Sequence, residues 1–167
     1  VEGESMLPPK VQARIAQDVA VKPTDTVLHI GTGSGFMAAL LGKQAKSVLS
    51  LEINPALAAV AKANLQRAGI TNVDVRCADA TAQGFKACEG QAPYDVIVLS
   101  GSVAEVPPAL LHMLKVGGRL SAIVGNEPMM RATLITRASD TAFTTEQPWD
   151  YLAPRLKNFP QPSAFRF

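Results

Sequence analysis

The sequence predicts an α/β fold in one domain over residues 1–167, a doubly wound, mostly parallel sheet with helices on both faces. Two observations carry that expectation. Short apolar, β-branched runs alternate with amphipathic or small-residue helical stretches along most of the chain, the pattern of parallel strands joined by crossover helices. The first of these runs, Val27-Leu28-His29-Ile30, enters a glycine turn, Gly31-Thr32-Gly33-Ser34-Gly35, that opens a helix. Alternate glycines let the backbone turn tightly and approach a ligand, while the helix N-terminus offers free N–H groups, so the turn reads as the seat of a nucleotide-type cofactor.

In chain order, Pro8-Pro9 followed by Val11, Ile15 and Val19 at four-residue spacing describes a short amphipathic helix, ended by Pro23-Thr24-Asp25. Residues 27–30 form the first strand, 34–42 a helix of small residues that can lie close to the sheet, and 47–52 the second strand. Asn54 caps the next helix with Pro55 at its first position; Leu57, Ala61, Leu65 and Ala68 make its buried face and Gly69 stops it. Residues 73–77, 94–99 and 119–124 are the third, fourth and fifth strands. Pro107-Pro108 begins a helix through Leu110, Leu111 and Leu114 that Gly117-Gly118 terminates. Leu134-Ile135-Thr136-Arg137, a polar turn and a proline-punctuated tail then predict late antiparallel strands.

A chain of 167 residues with 47% hydrophobic content has enough apolar surface for one real core. Its 16 Lys and Arg balance 14 Asp and Glu and are dispersed, which argues against a nucleic-acid stripe or a polybasic membrane patch. No apolar run is long enough to cross a bilayer and residues 1–5 show no signal pattern, so a cytoplasmic enzyme is expected. Val1 is not an initiator methionine, and the chain reads as an excerpt of something longer. Cys77 and Cys88 lack zinc-type spacing and histidine company; both read as reduced thiols, and no metal is expected. His112 reads as a surface or helix-end residue.

The glycine spacing discriminates among cofactors. A dinucleotide fingerprint, G-x-G-x-x-G, has its last glycine where this chain carries Phe36, which argues against a nicotinamide dehydrogenase. Two acids join the turn. Glu52 closes the second strand about twenty residues on, where a carboxylate accepts from both hydroxyls of a ribose. Asp79 follows the third strand, placed to accept from an adenine amino group. On an open parallel sheet these elements converge at the strand C-terminal ends.

The G-x-G-x-G turn resembles motif I of the class I methyltransferases that bind S-adenosyl-L-methionine. Together with Gly3-Glu4-Ser5-Met6-Leu7-Pro8-Pro9, Pro93-Tyr94-Asp95-Val96-Ile97-Val98-Leu99, Lys115-Val116-Gly117-Gly118-Arg119-Leu120 and Pro160-Gln161-Pro162-Ser163, it makes the whole chain resemble a bacterial protein-L-isoaspartate O-methyltransferase, shortened at the N-terminus. The resemblance implies a Rossmann-like sheet of about seven strands. It also implies methyl transfer to the free carboxylate of L-isoaspartyl residues in damaged proteins, as the start of repair, with S-adenosyl-L-homocysteine as product. The implied cofactor site comprises His29, Gly31, Thr32, Gly33, Ser34, Gly35, Glu52, Ile53, Asp79 and Ala80.

Such chemistry asks for alignment and exclusion of water rather than a general base, because the carboxylate is already ionised at neutral pH. Two positions depart from the family. Leu7 stands where the family has its active-site serine, with Ser5 the nearest substitute hydroxyl, and His29 stands where an acid holds the methionine end of the cofactor. The rival readings are therefore a family member acting on another acceptor and a cofactor-binding protein that has lost the isoaspartyl activity.

Overall fold

A computed structural model of the chain describes residues 6–161. Ser5 and the rest of the segment before Met6, and the tail from residue 162, lie outside the described residues. Seven strands, β1 (Thr26–Ile30), β2 (Ser47–Glu52), β3 (Val73–Cys77), β4 (Tyr94–Val103), β5 (Leu114–Asn126), β6 (Met129–Arg137) and β7 (Phe143–Asp150), form one sheet in the order β3-β2-β1-β4-β5-β6-β7. Pairing is parallel from β3 through β5 and antiparallel from β5 to β7, as the late change of pattern predicts.

Period-two alternation assigns the two sheet faces. Leu28, Leu49, Leu51, Ile97, Leu99 and Leu120 belong to one core. Val27, Val48, Val96, Val98 and Ile123 belong to the other, together with Ile15 and Val19 of α1 (Pro9–Val19) and Met37 and Leu41 of α2 (Phe36–Gln44). Here α3 (Pro55–Arg67) packs Ala58, Ala61 and Leu65 against Ala38 and Val75. The three long helices thus share one face. The opposite face is covered by single turns, α4 (Ala82–Phe85) and α5 (Pro108–Leu111), by a 3-10 segment, Lys86–Gln91, and by Phe159 near the end of the described chain. Helices on both faces holds only in this reduced form.

Local chemistry explains the boundaries that differ from expectation. The first helix stops at Val19, ahead of Pro23, because Ala20 turns left-handed (φ 46°) and the Arg119 guanidinium of β5 donates to the carbonyls of Val19 and Ala20. The second helix starts at Phe36, since Gly35 (φ 97°) is still part of the turn. On α3 the Asn54 side chain accepts from the N–H groups of Ala56 and Leu57 as predicted, but Ala68 is exposed at the C-cap and Ala58 takes its place on the buried face. The largest correction concerns Leu114, which opens β5 rather than closing a helix and stands opposite Tyr94. Gly117-Gly118 is therefore no helix stop. A Cβ on Gly118 would lie 2.9–3.0 Å from the carbonyl oxygens of Lys115, Asp95 and Tyr94, so the glycine permits close backbone approach where the β4–β5 register shifts.

Candidate functional site

Strand order reverses between β1 and β4, and a cleft partly open to solvent lies at the C-terminal ends of the parallel strands. Its floor is the glycine turn. After β1 the chain is pinned to β2 by Gly31 N–H donating to the Leu51 carbonyl at 2.9 Å, and Gly35 N–H closes the turn on the Thr32 carbonyl at 3.0 Å. Gly31, Gly33 and Gly35 all have positive φ, which an L side chain adopts only with strain. Gly35 faces away from the cleft, and a Cβ there would lie 3.3 Å from the Ala61 Cα, so its role is helix packing.

Glu52, only 5% exposed, ends β2 beside this floor. Its Oε1 accepts from Gly33 N–H at 2.8 Å and its Oε2 from Asn54 N–H at 2.9 Å, which fixes the carboxylate plane and leaves each oxygen further acceptor capacity. Asp79, two residues past β3, accepts at Oδ1 from the Thr81 N–H (2.9 Å) and hydroxyl (2.7 Å) and at Oδ2 from the Asn158 amide (2.9 Å). Partial burial pushes the Asp79 carboxyl upward, but the hydrogen bonds from Thr81 and Asn158 outweigh it and hold the group below its ordinary value. Both acids are thus anchored anions on one wall of the cleft.

All the cofactor residues expected from the sequence line the cleft except Gly35 and His29. His29 is fully buried beneath it, with Nδ1 2.9 Å from the Ser50 hydroxyl and Nε2 2.6 Å from the Ser100 hydroxyl. Ser50 in turn is 2.6 Å from the Thr32 hydroxyl. Burial lowers the His29 pKa to about 3, so the imidazole is neutral and its ring nitrogens are engaged within the fold. His29 therefore supports Ser100, which lines the cleft, and does not itself face a ligand. Leu7 lines the cleft yet is only 4% exposed, packed into the core shared by α1 and α2, with its carbonyl accepting from the Gln12 amide at 2.6 Å. Met6 lies over the turn, its Sδ accepting from Ser34 N–H at 3.2 Å.

Sequence reasoning missed the roof. The chain after β7 returns across the end of β4, where Ser102 N–H donates to the Pro154 carbonyl (2.7 Å) and Leu156 N–H to the Ser102 carbonyl (2.9 Å). That brings Pro154, Arg155, Leu156 and Lys157 to the cleft. Gly101 makes the crossing possible, since a Cβ there would meet Leu156 Cδ2 at 2.8 Å. Among the described residues no group of three or more His, Cys, Asp and Glu side chains could hold a metal, and no helix is long and apolar enough to cross a membrane. Both cysteines are free, and burial raises the Cys88 pKa to about 12.

The sheet order, the glycine turn after β1 and the acids ending β2 and following β3 define a class I methyltransferase fold. Comparison with known proteins is more specific. Residues 3–151 match the family model for protein-L-isoaspartate(D-aspartate) O-methyltransferase, and the chain belongs to that family. It is 42% identical over 143 residues to protein-L-isoaspartate O-methyltransferase 2 of Marinobacter nauticus, covering 85% of this chain and 64% of that protein. With the Koribacter versatilis enzyme the identity is 38% over 135 residues, 81% of this chain and 59% of the relative. The chain thus spans less than two thirds of these relatives' length. A solved protein-L-isoaspartate O-methyltransferase superposes with a TM-score of 0.74 at 26% identity, covering 93% of this chain and 50% of that one. A Plasmodium falciparum protein described as a member of the same family, solved with S-adenosyl-L-homocysteine, shares the fold with a TM-score of 0.77 at 19% identity, covering 94% and 78%.

Proposed function

We propose that this chain binds S-adenosyl-L-methionine in the cleft and that the whole protein methylates the free carboxylate of L-isoaspartyl residues in damaged polypeptides. The reaction would begin their repair in the cytoplasm and leave S-adenosyl-L-homocysteine. The observation that carries this reading is the pair of anchored carboxylates, Glu52 and Asp79, on adjacent strand ends beside the glycine turn. The residues present fit the group. Glu52 has acceptor capacity for ribose hydroxyls, Asp79 for an adenine amino group, and Ile53 and Ala80 supply apolar contact between them. Among the described residues Ser34 N–H is held by a thioether, a weak acceptor that a ligand oxygen readily displaces.

When bound, the cofactor supplies a sulfonium methyl group that a carboxylate oxygen can take, leaving a neutral thioether. The chain's own part is to align and to exclude water. Leu7, Ile30, Phe36 and Leu57 present apolar surface in the cleft, and no side chain is required as a base because the acceptor enters ionised. The buried Leu7 favours a second reading, a methyltransferase of the same cofactor with a different acceptor, since leucine offers no hydroxyl where the family has serine.

One experiment separates the two: S-adenosyl-L-homocysteine binding by calorimetry, with methyl transfer from labelled cofactor to an isoaspartyl peptide, both on full-length protein. Binding with transfer is the expected result. Binding without transfer selects the second reading, and absence of binding overturns both.

A further inference from the structure

Across the switch point from the two acids, the cleft holds one charged group with unfinished hydrogen bonding. Arg155 lines the cleft with Leu7 and Ser100, on the segment bridged to Ser102 of β4. Its Nη2 donates to the Asn126 Oδ1 at the end of β5, at 2.7 Å. Among the described residues its Nη1 has no acceptor, and it is the one buried side-chain nitrogen or oxygen there without a partner. No ion pair compensates the guanidinium within the described residues. A cationic donor left in this condition is unfavourable for the fold alone and is relieved by an anionic acceptor.

Position tells which end of the ligand arrangement it serves. Under the reading above, on which this inference rests, the adenosine part lies toward β2 and β3 with Glu52 and Asp79. The methyl group and its acceptor then lie across β1, toward β4 and β5, where Arg155 and Asn126 stand. A planar guanidinium matches a carboxylate better than any other side chain does. We propose that Arg155, braced by Asn126, recognises the carboxylate of the methyl acceptor and supplies the donor that Leu7 cannot. One carboxylate oxygen is held at the guanidinium while the other stays free to take the methyl group. Because the product is a neutral ester, the same contact weakens once transfer is complete and favours release.

The test is calorimetry on full-length protein saturated with S-adenosyl-L-homocysteine, titrated with an isoaspartyl peptide and with its carboxamide counterpart. The unmodified protein is expected to prefer the carboxylate peptide at least tenfold. Arg155→Met should lose most of that preference while S-adenosyl-L-homocysteine affinity stays within about twofold and the melting temperature does not fall, and Arg155→Lys should keep part of it. Asn126→Ala, which leaves the charge in place, should move the preference in the same direction by less. A preference retained in Arg155→Met overturns the proposal. So does a loss confined to S-adenosyl-L-homocysteine binding, which would assign Arg155 to the carboxylate at the methionine end of the cofactor. If Arg155→Met does not fold, Arg155→Lys and Asn126→Ala decide, and a full preference in both overturns it. Failure of the unmodified protein to bind S-adenosyl-L-homocysteine, or to bind either peptide once loaded, removes the functional reading and this proposal with it.

Discussion

The β2–β3 wall of the cleft and the β1–β4 wall are made of different materials. On the first, Glu52 and Asp79 are anions held mainly by neighbours in their own loops or in the glycine turn, namely Asn54, Thr81 and Gly33. On the second, a buried neutral series runs from Thr32 through Ser50 and His29 to Ser100, Leu7 belongs to the core, and a charged group, Arg155, is delivered from the far end of the chain. The first wall suits hydroxyl and amino donors and is what a nucleoside requires. The second holds Leu7 and His29, the two positions at which the sequence resemblance implies a serine and an acid. Under the proposed function, cofactor and acceptor would be recognised by separable sets of residues, each of which can be broken without the other.

The most damaging change to the first wall is Glu52→Ala, which removes a charge-assisted acceptor and strands the N–H groups of Gly33 and Asn54. We expect S-adenosyl-L-homocysteine binding to weaken by roughly 2–4 kcal/mol in calorimetry. Unaltered affinity would show that the β2–β3 wall does not hold the ribose.

On the second wall the corresponding change is Leu7→Ser. It restores the family's hydroxyl but empties a buried leucine site, so global stability in urea should fall by about 2–4 kcal/mol even if isoaspartyl transfer rises. A variant as stable as the parent would remove Leu7 from the core and make the two walls more alike.

Per pH unit, the smallest effect is the pH dependence due to His29. Its folded pKa of about 3 lies below the ordinary 6.5, so the unfolded chain binds the extra proton first as pH falls. This group's contribution is complete above about pH 6.5 and is lost at about 1.4 kcal/mol per pH unit on the way down toward pH 3. Urea titrations across that range should show a shallower acid slope in His29→Gln, and equal slopes would mean that the imidazole is not held neutral.

The first wall was legible in the sequence because its parts are local. A strand running into alternate glycines, and acids at the ends of the next two strands, are patterns of short range, and they pointed to Glu52, Ile53, Asp79 and Ala80 on that side but not to Leu51, Leu57 or Ala78. His29 was misplaced although a signal was present. Alternation along β1 puts its side chain on the Val27 face, away from Ile30, which lines the cleft. Ser100, Arg155 and Asn158 had no such signal, being ordinary residues in ordinary surroundings until the fold brings the first two to the cleft and Asn158 to Asp79.

By itself the sequence determined the parallel sheet, the glycine turn and the family, because strand periodicity, positive-φ glycines and helix caps act over a few residues and their physics is written where they occur. The tertiary structure alone decided the one-sided covering of the sheet by long helices, the conversion of Leu114 and Gly117-Gly118 from helix end to strand, and the delivery of Arg155 to the cleft. These depend on which backbone approaches which across tens of residues of chain. Gly118 against Tyr94 and Asp95, and Gly101 beneath Leu156, are contacts whose necessity becomes visible only when the partners are in place.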